Sequence, residues 1–182
     1  ANLRMGRVLQ ELERLEQSLR QRPAHPLLGP PSLHAATLRG GTELSTYAAG
    51  CTLQIERRTI PGETLPQVEG EIRAILDRLA AADPAFSGRQ RTLLERPPFE
   101  VSPEAPLVRA LRASALARLG TPRAPRGVAY WMDTALLAQA GMEAVALGPA
   151  GAGAHAAEEW VDLASVAEAA AILAGTAVRY CA

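Results

Sequence analysis

The stretch Cys51-Thr52-Leu53-Gln54-Ile55-Glu56-Arg57-Arg58-Thr59-Ile60-Pro61-Gly62-Glu63-Thr64 carries the reading of the fold. Its first half alternates with a period of two. Cys51, Leu53 and Ile55 fall on one side, and Thr52, Gln54, Glu56 and Arg58 on the other. That is a strand with one face on a core and the other polar. Pro61-Gly62 then turns the chain. Thr64 with Gln67 three residues on predicts a capping box, and Pro66 fits the first turn of a helix. Val68, Ile72, Ile75, Leu76 and Leu79 supply the apolar stripe of that helix, which ends near Asp83-Pro84.

Upstream, Leu33 to Arg39 reads as a second strand closed by Gly40-Gly41, spaced as an antiparallel neighbour of the first. Before it, Leu3, Met5, Val8, Leu9, Leu12, Leu15 and Leu19 mark an amphipathic helix over 3–22 that Pro23 ends, and Pro23 to Ser32 form an extended loop. Downstream, residues 89–101 predict a weaker strand interrupted by Pro97-Pro98, which suits a sheet edge. The order is helix, strand, strand, helix, strand, a ferredoxin-like βαββαβ unit lacking its first strand. In that topology the first strand is interior and pairs on both sides, so an isolated copy leaves two unpaired edges within the sheet.

From Ser102 the pattern changes to alternating elements. A helix (105–119), a Pro-rich loop (121–125), a strand (127–131), a short helix (134–140), a strand (144–147) and an Ala-rich helix (163–180) read as α/β architecture. Two strands do not make a stable sheet on their own, so this half also reads as part of something larger. The expected division is 1–101 and 102–182, and the fold class α/β (α+β).

Composition narrows the function classes. Among 182 residues, 19 basic residues, all Arg, balance 19 acidic ones, so no overall field attracts nucleic acid or an anionic membrane. Without Lys there is no Schiff-base lysine and no P-loop lysine. Two Cys and three His cannot build a disulfide framework or a thiolate zinc site. No apolar run reaches the roughly 20 residues of a membrane span. The expectation is a soluble, cytoplasmic chain.

Several residues bear chemistry, each with two readings. Gly148-Pro149-Ala150-Gly151-Ala152-Gly153-Ala154-His155 fits a G-x-G-x-x-A pattern, but no crossover helix, following strand and acidic ribose ligand come after it, which disfavours a dinucleotide site. His155, with Glu158 and Glu159 nearby, is either a metal ligand with its supporting carboxylates or a structural loop histidine. Arg58 is a guanidinium fork for a ligand carboxylate or a member of a solvated face beside Glu56; Arg57 points to the opposite face. Asp133 precedes a helix, as an N-cap or a site residue. Ser45 and Thr46 read as turn residues, and Ser45 has no His or Asp pairing to make it a nucleophile.

Taken together, Gly40-Gly41 with Ser45-Thr46-Tyr47, Glu56-Arg57-Arg58 through Pro61-Gly62-Glu63, Trp131 to Asp133 with Ala140-Gly141, and Gly148-Pro149 through His155 to Glu159-Trp160-Val161 resemble one family. It is the acetylornithine deacetylase, succinyl-diaminopimelate desuccinylase and carboxypeptidase G family of co-catalytic zinc amidohydrolases. The resemblance implies a lid, residues 1–101, that dimerises, followed by the C-terminal part of an α/β zinc-hydrolase domain. By it, His155 matches a metal ligand, Arg58 the lid arginine that holds the substrate's α-carboxylate, and Ser45 a position where many members have Asn. Asp133 matches a position near the site, and Glu158 and Glu159 stand as supporting carboxylates.

The resemblance also implies two zinc ions per site, with cobalt or manganese as substitutes, a homodimer, and a small N-acyl amino acid as substrate. The family's H-x-D pair, bridging Asp, Glu-Glu pair and lid histidine have no counterpart in residues 1–182, so the expected partner is an N-terminal catalytic segment. Amide hydrolysis by a metal-bound water needs a carboxylate to take its proton, and this chain supplies no such base. The chain by itself is expected to be inactive. The alternative is a non-catalytic dimerisation or ligand-binding remnant.

Overall fold

A computed structural model describes residues 1–182, which divide into two compact units, Ala1–Pro98 and Phe99–Ala182. In the first, α1 (Asn2–Arg20) is followed by the antiparallel strands β1 (Ser32–Gly40) and β2 (Cys51–Arg58) and then by α2 (Leu65–Ala82). The apolar stripe of α1 buries Val8, Leu12 and Leu19 against Leu33 of β1 and Ile75 of α2. Met5, Leu15, Leu53, Ile55, Ile72, Leu76, Leu79 and Phe86 close around this core. Both helices therefore lie on the apolar face of the hairpin and leave its polar face open.

The helix boundaries follow local chemistry. At the start of α2 the Thr64 backbone N–H donates to Gln67 Oε1 at 2.8 Å, which satisfies one of the donors that a helix start leaves over. Its end falls at Asp83, whose extended backbone is the conformation that the following Pro84 favours. Strand register runs from Ser32 opposite Arg58 to Gly40 opposite Cys51, with a bulge at Ala36. A Cβ at Gly40 would overlap Asn2 Oδ1 and stand 2.8 Å from Cys51 Sγ, so a larger residue there displaces those side chains.

One expectation for this unit fails. Residues 89–101 form no strand. In the ferredoxin-like order the last strand pairs with the first, and with no first strand in residues 1–182 the segment has no ladder to join. It is held instead on α2, where Gln90 Nε2 donates to the Glu69 carbonyl at 2.9 Å and Thr92 Oγ1 to Glu69 Oε1 at 2.5 Å.

In the second unit, α3 (Pro106–Leu119) packs along the long helix that ends the chain, α5 (Leu163–Tyr180). Val108, Leu111 and Ser114 of α3 and Ile172 and Thr176 of α5 are buried, and Gly175 lies against the Ser114 side chain. Gly120, at φ +70°, closes α3 in the left-handed conformation that glycine adopts without strain. At the other end of this unit's long helix, Asp162 caps α5 by accepting from Ala164 N–H at 2.9 Å. The short α4 (Thr134–Gln139) follows Asp133.

Neither 127–131 nor 144–147 forms a strand, again contrary to the periodicity. Parallel strands buried on both faces need flanking strands, and none is available within these residues. The only ladder in this unit is a two-residue pair unforeseen from the sequence, β3 (Gly151–Ala152) with β4 (Trp160–Val161). By length and composition α5 could cross a bilayer, with mean hydropathy 1.2 over 18 residues, which the run-length argument did not foresee. Glu168 near its middle is paired with Arg118 of α3, and one face is packed on that helix.

Candidate functional site

Arg58 ends β2 on the open face of the hairpin. Its Nε donates to Glu56 Oε2 at 3.2 Å, and His34 Nδ1 lies 3.4 Å from the same oxygen. Holding the guanidinium by Nε leaves both Nη groups free, which is the edge a carboxylate can take in two parallel hydrogen bonds. Arg58 is half exposed.

Ser45 is exposed in the loop between β1 and β2, at the opposite end of the hairpin, and Thr46 Oγ1 in that loop donates to Glu43. Leu44 and Tyr47, on either side of Ser45, are fully exposed. The length of β2 thus separates Ser45 from Arg58 by roughly 20–25 Å at the rise of an extended strand, and one copy of the hairpin does not bring them together.

The end of β2 is anchored by a residue whose importance the sequence reading missed. Arg57, pointing opposite to Arg58, is only 4% exposed and is held by two carboxylates. Its Nη1 donates to Glu63 Oε2 and its Nε to Glu71 Oε2, each at 3.2 Å, and Nη2 also reaches Glu63. Arg22 joins from the end of α1, 2.6 Å from Glu71 Oε1. Glu63 Oε2 in turn accepts from the Ile60 N–H at 3.0 Å, which pins the Pro61-Gly62 turn. The signal was present in the sequence. In the series Cys51, Leu53, Ile55, Arg57 a charge takes a place on the apolar side, and a charge there requires partners.

In the second unit His155 lies in the β3–β4 loop with φ +64°, the sole non-glycine residue at positive φ. The glycines beside it make the loop geometry. A Cβ on Gly153, at φ +80°, would overlap the Glu158 carbonyl, and one on Gly151 would stand 2.5 Å from the Trp160 carbonyl. The Gly153 carbonyl accepts from Ala156 N–H at 2.8 Å, closing a tight turn around His155. Glu158 and Glu159 are exposed on the same loop, and neither bonds His155.

Asp133 occupies the N-cap position of α4, yet its carboxylate caps nothing; its carbonyl accepts from Leu136 N–H at 2.9 Å and Leu137 N–H at 3.1 Å. It makes no hydrogen bond to His155. No three His, Cys, Asp or Glu side chains converge anywhere in the chain. One imidazole on a loop does not meet the three or four ligands that zinc takes, so these residues alone do not fit the metal.

The first unit is thus a module of two helices on one face of an antiparallel hairpin, and the second carries a glycine-bounded histidine loop. Residues 1–84 match the family described as the peptidase dimerisation domain. The chain is 26% identical over 161 residues to an acetylornithine deacetylase of Buchnera aphidicola subsp. Schizaphis graminum, covering 87% of this chain and 40% of that protein. Its fold is similar to that of an M20 family metallo-carboxypeptidase from Sulfolobus solfataricus, with a TM-score of 0.63 at 17% identity over 93% of this chain and 42% of that one.

The chain is thus similar to M20 proteins, with its residues 1–84 matching the peptidase dimerisation domain. It spans about two-fifths of the length of the relatives it matches.

Proposed function

We propose that these residues are the lid and the C-terminal end of the catalytic domain of a metal-dependent amidohydrolase. Its substrates are N-acyl amino acids or small peptides with a free carboxylate. The observation that carries the reading is the similarity to an acetylornithine deacetylase over 87% of the chain. Arg58, oriented through Glu56, takes the substrate carboxylate by its free Nη edge. Ser45 contacts substrate from the loop at the far end of the hairpin, and the separation of the two within one chain favours a homodimer formed through the lid.

With further ligands supplied from elsewhere, His155 would contribute one ligand to a two-zinc centre, with Asp133, Glu158 and Glu159 as supporting carboxylates and cobalt or manganese as substitutes. The remaining ligands and the general base come from an N-terminal catalytic segment outside residues 1–182. A cytoplasmic location goes with this reading. The lack of converging ligands favours a second reading, a non-catalytic dimerisation or ligand-binding remnant.

The gene and a metal measurement decide between them. The first reading expects H-x-D and adjacent Glu-Glu codons upstream of Ala1. It also expects about two metal ions per site once that segment is expressed together with this chain. Absence of both motifs leaves the remnant. Stoichiometric zinc in the 182-residue chain alone contradicts both.

A further inference from the structure

The open face of the β1–β2 hairpin holds a shallow cavity of about 290 Å³ lined by Thr37, Arg39, Thr52 and Gln54. These residues are two cross-strand pairs, Thr37 opposite Gln54 and Arg39 opposite Thr52. They share this face because of the bulge at Ala36. Ser32 and His34 stand opposite Arg58 and Glu56, and an unbroken ladder would continue with Ala36 opposite Gln54 and Leu38 opposite Thr52. The extra residue moves Leu38 to the side of Leu53 and sends Arg39 into the cavity, since a one-residue shift exchanges the faces of a strand.

The lining offers donors. Thr37 Oγ1 donates to Gln54 Oε1 at 2.6 Å, which engages the amide's acceptor and leaves the two N–H groups of Gln54 Nε2 available. Thr52 adds a hydroxyl. Arg39 makes no hydrogen bond or ion pair, whereas Arg57 and Arg58 of the neighbouring strand are each held by Glu. No carboxylate lines the cavity, and the acidic group farther along this face, Glu56, is bonded to Arg58.

We propose that this cavity is a binding site for a small carboxylate ligand. The Arg39 fork takes both carboxylate oxygens, with Gln54 Nε2 and the Thr52 hydroxyl as additional donors. One guanidinium matches one negative charge, which selects a carboxylate over a phosphate dianion. The site lies about 13–20 Å along the strand from Arg58 and does not depend on the function given to that residue.

The test is a titration of the 182-residue protein, labelled with nitrogen-15, with sodium acetate, inorganic phosphate and sodium chloride at matched ionic strength. Arg39 Nε–H and the Gln54 side-chain amide are the reporters. Acetate is expected to shift both along a saturating curve with a midpoint in the millimolar range, roughly what a single charge-assisted site supports. Arg39→Gln is expected to weaken the acetate curve about 10-fold and Gln54→Leu about threefold, with Arg39→Lys intermediate because it keeps the charge and loses the fork.

Arg58→Gln is expected to leave the curve unchanged. Non-saturating shifts, an equal response to chloride, or the same curve in Arg39→Gln would overturn the site. Tighter saturation by phosphate than by acetate would overturn the ligand class. Loss of the response in Arg58→Gln alone would transfer binding to the other arginine and overturn the proposal as well.

Discussion

Arg4 at the start of α1 grips Asp83 at the end of α2, 79 residues away, through Nε to Oδ2 at 2.8 Å and Nη2 to Oδ1 at 3.3 Å. Arg7 adds a bond to Oδ2 at 3.0 Å, and the Ala85 N–H donates to Oδ1 at 3.0 Å. The hydrogen bond from Arg4, then that from Ala85, hold the Asp83 carboxyl below the usual carboxylate range, and Asp83 raises the Arg4 pKa in turn. Glu11 of α1 is lowered as well, chiefly by its hydrogen bond from Arg78 of α2.

A pH dependence follows with a definite sign. Since the folded pKa of Asp83 lies below its unfolded value of about 3.9, its contribution is complete above that pH. It is lost as pH falls through the folded pKa. Urea unfolding from pH 7 to pH 2 is expected to show a steeper acid loss in the native chain than in Asp83→Asn. Parallel profiles would contradict the coupling.

The Arg57 cluster gives a second expectation. Removing Arg57 leaves Glu63 and Glu71 with the half-exposed Arg22 as their remaining cation, and breaking such a buried pair costs about 3 kcal/mol. Arg58, half exposed and bonded to an equally exposed Glu56, contributes under about 0.5 kcal/mol. Denaturant midpoints of Arg57→Ala and Arg58→Ala are therefore expected to differ widely, although the two residues are adjacent. Equal midpoints would mean that the buried arginine is dispensable.

The β3–β4 loop gives a third. His155 at φ +64° carries a strain that glycine lacks, so His155→Gly is expected to stabilise the chain by about 1 kcal/mol. Gly153→Ala, which pushes a methyl into the Glu158 carbonyl, is expected to destabilise it. A destabilising His155→Gly, read by thermal unfolding, would show that the imidazole has a structural part here.

Core packing gives a fourth. Leu19 is fully buried between α1, Leu33 and Ile75, and Leu19→Ala is expected to cost about 3 kcal/mol. Leu3→Ala, on the same helix but 91% exposed, is expected to stay within about 0.5 kcal/mol of the native chain. The pair separates burial from helix propensity, and circular dichroism melts of both variants read the difference.

Local periodicity was sufficient for α1, α2, α3, α5 and the β1–β2 hairpin, because each carries its own apolar stripe or alternation, and those of the first unit also carry their own stops: Pro23, Gly40-Gly41, Pro61-Gly62, Pro84. The strands expected over 89–101, 127–131 and 144–147 carry strand-like residues and still form none. A strand is completed by its neighbour, and propensity cannot supply a partner that these residues do not contain. For the site, the residue types of Arg58, Ser45 and His155 were legible in the motifs, while their distribution over two hairpin ends and a separate loop was not.

The sequence by itself determined which segments are helices and which face of β2 is polar, since these rest on residue type and spacing within a few turns of chain. Only the tertiary structure decided that Arg57 is a buried anchor and that Asp83 ties the ends of two helices. It also decided that a bulge at Ala36 turns Arg39 onto the open face. Each depends on contacts between segments far apart in the chain or on a shift of one residue in a ladder, and neither leaves a mark in local periodicity.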